Sequence, residues 1–125
     1  MRHLNLARDD AGAATVLAAV FIAAMASVCV AGIWLGAAVI AVHRAQSAAD
    51  LAALAAAARV PAGTGAACAQ AEALAHAMGA TLLGCTVTRL DATVVVSVPV
   101  GGRIGRQARA SARAGPTGAV ETGAG

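Results

Sequence analysis

Residues 11–42 read AGAATVLAAVFIAAMASVCVAGIWLGAAVIAV, 32 positions without a charged side chain. A helix needs about 20 apolar residues to cross the hydrocarbon core of a bilayer, so this run is more than long enough. A secretory signal carries an apolar stretch of only about 7 to 15 residues. Ala24-Met25-Ala26 has the small-x-small form of a cleavage site, but a cut there leaves the apolar residues 28–42 on the product. The expectation is a retained transmembrane helix over residues 11–42, preceded by a short cytoplasmic N-terminus at 1–10. Cys29 follows Val28, where a lipoprotein signal has a small residue, and reads as an inert thiol in the bilayer.

Nothing stops the helix at the boundary. Residues 43–60, HRAQSAADLAALAAAARV, are dominated by Ala and Leu, and the first proline is Pro61, so the helix is expected to continue to about Arg59. From Ala11 to Arg59 it measures about 70 Å, more than twice the bilayer core, and its second half must pack on protein. Leu51, Leu54, Ala55 and Ala58 recur at helical spacing as a narrow apolar stripe, with Gln46 and Asp50 on another side. Arg44 extends toward lipid headgroups, a placement role.

Orientation by Arg count is a tie, with Arg2 and Arg8 before the run and Arg44 and Arg59 after it. The short leading flank, the larger remainder and the cysteines favour a single-pass protein of the cell membrane, N-terminus inside and C-terminal module outside. Trp34 then falls near the outer interface, where Trp is favoured. Gly32 and Gly36, four apart, share one helix face and permit close approach of a second helix, a route to homo-oligomers; the alternative is small residues facing lipid.

Residues 61–114 have room for one small extracytoplasmic αβ module. After the Gly- and Pro-containing linker VPAGTGA, a second helix is expected over residues 66–78, with Ala67, Ala71, Leu74, Ala75 and Met78 on one face and Glu72 and His76 on another. Gly79 is a natural stop. TLLGCTVTRL (81–90) and TVVVSVPV (93–100) are β-branched and alternating and read as an antiparallel hairpin turning at Asp91-Ala92, with Val94, Val96, Val98 and Val100 on one face. QARASAR (107–113) alternates strictly and reads as a third, weaker strand with Arg109 and Arg113 on its solvated face. Residues 115–125 are expected to be a disordered tail. The fold class is α+β: a long N-terminal transmembrane helix continuing outward, a short helix, and a small antiparallel sheet of two to three strands, a pilin-like layout.

The helix runs about 16 Å from Cys68 to Gly79, and a strand returns about 16 Å from Ala80 to Cys85. Cys85 therefore comes back level with Cys68, on the strand face shared with Leu83 and Val87, at a separation that suits a disulfide. Two reduced core thiols or a metal pair are the competing readings, though zinc wants four ligands and no CxxC or His cluster supplies them. A disulfide would place the module in an oxidising compartment.

Chemistry is not indicated. His3, His43 and His76 lie in three different segments, the acidic residues are scattered, and GGRIGR (101–106) opens no apolar helix and lacks a phosphate loop's Lys. No enzyme, cofactor or metal is expected. The net charge of +3, with 2% aromatic residues to stack on bases, excludes a nucleic-acid partner from the expectation.

RDDAGAATVLAAV (8–20) followed by VHRAQSAADLAALAAAA (42–58) resembles the TadE/TadG-like family of tight-adherence pilus and secretion systems. It is most similar to actinobacterial TadE-like proteins, in which a Cys pair and a closing ARAGP-like segment, here residues 112–116, also occur. The resemblance covers roughly residues 8 to 116. It implies a non-enzymatic, pseudopilin-like membrane component that helps assemble or anchor the apparatus, with other pilin-like or Tad proteins and the membrane as partners. Processed pseudopilins are cut after a Gly with a Glu five residues later. Gly12 and Ala13 supply the junction, but Leu17 stands where the Glu would be, so an unprocessed, membrane-retained protein is the expectation. The alternatives are a membrane-anchored binding or regulatory module unrelated to pili, and a small exported protein after cleavage near Ala26.

Overall fold

A computed structural model describes residues 2–101 and 105–116, with side chains from residue 10 onward. The expected disordered tail lies outside the described residues beyond Pro116. Helix α1 (Arg2–Arg59) is followed by a 3-10 turn (Val60–Ala62), helix α2 (Thr64–Ala77), and strands β1 (Thr81–Thr88), β2 (Asp91–Pro99) and β3 (Gln107–Ala114). This is the expected α+β layout, with three strands. The chain divides into two compact units, Met1–Gly36 and Ala37–Gly125.

The first unit is helix throughout its described length. It belongs to a helix long and apolar enough to cross a membrane. Val16, Leu17, Phe21, Ile22, Ile33 and Leu35 are exposed, as side chains solvated by lipid would be. Two hydroxyls in the apolar stretch are satisfied within the helix: Thr15 donates to the Ala11 carbonyl and Ser27 to the Ala23 carbonyl, both at 2.8 Å, which removes the cost of carrying them into hydrocarbon.

The second unit is built on an antiparallel sheet in the order β1-β2-β3. The alternation of β2 buries Val94, Val96 and Val98, and Ala108 of β3 joins them in one core; Leu82, Cys85, Val87, Ala110 and Ala112 pack against it half-buried. From α2 come Ala67, Ala71 and Ala75, and from α1 come Ala41, Ala45, Ala48, Ala49, Ala52, Ala53 and Ala56. The face of α1 that builds this core is therefore not the stripe expected from sequence: Leu51 and Leu54 are 44% and 60% exposed, whereas Ala52 and Ala53 are at 0% and 1%. The physical reason is distance. Alanines carry no bulk beyond Cβ, so the helix approaches closely enough for small valines to fill the gap; Val94 and Val96 are the largest fully buried side chains.

Two further details depart from the sequence reading. The hairpin turns at Arg89-Leu90, because Thr88 pairs with Asp91 and Ala92 already faces Val87. Arg89 has φ 59°, the positive φ that a two-residue hairpin loop requires at its first position. Register also shifts between Leu82 and Gly84. The extra residue, Leu83, leaves the alternation at this β-bulge, so Leu82, Cys85 and Val87 face the core while Leu83 is 46% exposed. Helix α2 spans Thr64–Ala77 and ends in a Schellman arrangement, with Ala80 N–H bonded to the Ala75 carbonyl at 2.9 Å and Gly79 N–H to the His76 carbonyl at 3.0 Å. Gly79 takes φ +72°, which a glycine adopts without steric cost.

Asp91, freed from the turn, forms an ion pair with Arg113 across the sheet. Both side chains reach solvent, so the pair contributes little. Asp91→Asn is expected to lower module stability by less than about 1 kcal/mol, the difference shrinking further between low and high salt in denaturant titrations.

Candidate functional site

The residues singled out from sequence fall into separate groups. On α1 in the first unit, Gly12, Ala13 and Leu17 are exposed, and a Cβ built at Gly12 meets nothing within 4 Å. Gly32 and Gly36 are likewise exposed and open, with nothing within 4 Å of either added Cβ. One helical turn apart, they form a strip without side chains against which a second helix backbone can lie. Gly12 and Gly32 are about 30 Å apart along the axis and do not converge.

In the second unit, Cys68 of α2 and Cys85 of β1 form a disulfide with a Cα separation of 5.8 Å. The bond ties α2 to the bulged edge strand β1. Cys29 is a free, exposed thiol. Gln46 donates to the Asp50 carboxylate at 3.0 Å on the exposed side of α1.

No catalytic constellation forms among the described residues. Glu72 and His76 share a shallow surface hollow with Ala69 and Ala73, one acid and one imidazole without a nucleophile or third ligand. No group of three or more His, Cys, Asp or Glu able to hold a metal occurs among the described residues.

A feature that the linear sequence did not bring together surrounds Arg44. One groove, about 270 Å³, is lined by Ile40, His43, Arg44, Ser47 and Met78. A second, about 340 Å³, shares Ile40 and Arg44 and adds Ala37, Ala41, Pro99 and Gly101. Periodicity on α1 places Ile40 and Arg44 on one face, but Met78 arrives from the end of α2 and Pro99 from the end of β2. The packing of α2 and the sheet brings them to the same end of the module.

A membrane-length apolar helix whose last 23 residues are built into a small three-stranded αβ unit defines the chain as an α+β protein with one candidate membrane span among the described residues. Residues 12–59 match the family model described as Tad, putative Flp pilus-assembly TadE/G-like, and that match supports a TadE-like assignment for this segment. Among curated proteins, the apoptosis inhibitor Rv3654c of Mycobacterium tuberculosis is 59% identical over 49 residues, 39% of this chain and 58% of that protein. The chain thus spans little more than half the length of that relative. No solved structure matches.

Proposed function

We propose that the chain is a non-enzymatic, pseudopilin-like membrane component of a Tad-type pilus or secretion apparatus, acting in assembly or anchoring. Helix α1 packs with other helices through its Gly32/Gly36 strip, and the αβ module contacts partner proteins. The observation that carries the reading is where the family match falls: residues 12–59 include the open glycine strip and the alanine face that builds the module. The N-terminus lies inside and the module outside, in the oxidising compartment where a Cys68–Cys85 bond persists. Leu17 in place of a glutamate keeps the chain unprocessed at Gly12-Ala13.

The test is affinity purification of the full chain from its native membrane. A secretion ATPase or membrane platform protein is expected to co-purify, and Gly32→Leu with Gly36→Leu lowers that recovery on the order of tenfold, as loss of about 1.4 kcal/mol of helix packing does. Mass spectrometry of the same sample should find the N-terminus intact. A mature start at Ala13 would establish pilin-type processing instead, and one at Ser27 export. Unchanged recovery with both leucines in place would reduce the glycine strip to lipid-facing filler.

A further inference from the structure

We propose that Arg44, with His43 and Ser47, binds the phosphate of an anionic phospholipid whose acyl chains lie in the two apolar grooves flanking the guanidinium. The proposal rests on α1 crossing a membrane. Its first support is position. The uncharged run of 32 residues measures about 48 Å as a helix, matching the roughly 40–45 Å of a whole bilayer with its headgroups. Arg44, two residues past the end of the run, therefore stands just beyond the headgroup layer, from which its long side chain reaches back to lipid phosphates.

The second support is the chemistry of the walls. In the first groove every charged or polar lining side chain (His43, Arg44, Ser47) can donate a hydrogen bond, and no carboxylate lines either groove. The remaining lining is apolar or backbone: Ile40 and Met78 on one side, Ala37, Ala41, Pro99 and Gly101 on the other. Beside them, Val39 and Val42 are 55% exposed and Ile40 is 60% exposed. A cation bordering two largely apolar surface grooves suits a diacyl lipid; a free phosphate would leave both grooves empty.

The third support is that the cation is placed and uncommitted. Arg44 has no ion-pair partner among the described residues, and Asp50, the next acid along α1, accepts from Gln46. The Arg44 Nη2 atom lies 3.4 Å from where a Cβ on Gly79 would sit. The guanidinium thus lies close to the turn that ends α2.

The experiment is native mass spectrometry of the full chain in non-ionic detergent with equal amounts of phosphatidylglycerol and phosphatidylcholine. The wild-type chain should retain phosphatidylglycerol preferentially. Arg44→Gln should lower the retained amount about fivefold, the attraction of one cation to an anionic surface, and Arg44→Lys should keep most of it. Dihexanoyl phosphatidylglycerol should displace the bound lipid, and inorganic phosphate at equal concentration should not. Equal retention of both lipids, or no loss in Arg44→Gln, would overturn the proposal, and displacement by inorganic phosphate would remove the acyl grooves from it. Efficient cross-linking of two chains through Ile40→Cys in a Cys29→Ala background, unaffected by added lipid, would assign the grooves to a second copy. Recovery of the chain in the soluble fraction is a separate failure, that of the membrane reading itself.

Discussion

Replacing Cys68 and Cys85 together by alanine is expected to destabilise the αβ module by about 3 kcal/mol and to release α2 first. The size follows from how little else holds that helix. Its fully buried side chains are Ala67, Ala71 and Ala75, and three methyl groups are worth only about 0.8 kcal/mol each. Closing the 17-residue separation between the cysteines lowers the entropy of the undocked state and so favours docking of a helix that buries little apolar surface. Hydrogen exchange of α2 amides should accelerate on the order of a hundredfold in the double variant, as 3 kcal/mol implies. Amides of the central strand β2, hydrogen-bonded on both sides, should change least. Equal protection of α2 with and without the bond would show that alanine packing alone docks the helix.

The architecture was legible wherever one residue property dominated its segment. Absence of charge from 11 to 42 marked the apolar helix, strict alternation at Val94, Val96 and Val98 marked the core face of β2, and Gly79 marked the end of α2. It was illegible where the deciding quantity was a distance between elements. On α1 the leucines looked like the packing residues because hydrophobicity was the only signal available, yet in an Ala-rich helix the buried face is chosen by how close the sheet comes. The bulge at Leu83 had no signature in TLLGCTVTRL, since leucine fits either face, and Asp91-Ala92 resembled a turn because Asp favours turns, although Asp91 belongs to the strand and to Arg113. For the candidate site, Gly12, Gly32 and Gly36 could be read as motifs, because small residues at fixed spacing are a local pattern. The surroundings of Arg44 could not, because Met78, Pro99 and Gly101 reach it only through the fold.

The same argument from distance makes a substitution that looks conservative the damaging one. Ala52→Leu should cost the module about 1–3 kcal/mol, the usual range for overpacking, whereas Leu54→Ala should stay within about 0.5 kcal/mol of the parent. Ala52 is at 0% exposure in the face of α1 that meets the core. Three added carbons there must displace either the helix or the buried valines, and the pairing of β2 on both edges, with β1 and β3, leaves the valines little freedom to move. Leu54 is 60% exposed, and alanine in its place keeps a strong helix former. Thermal unfolding in detergent, followed by proteolysis of the αβ module, ranks the two variants directly. A leucine-built helix would give the opposite order, with Leu54→Ala leaving a cavity and Ala52→Leu pointing harmlessly outward. The predicted order therefore tests whether alanines set the distance between α1 and the sheet, and with it the room at the end of the module where Arg44 stands between its two grooves.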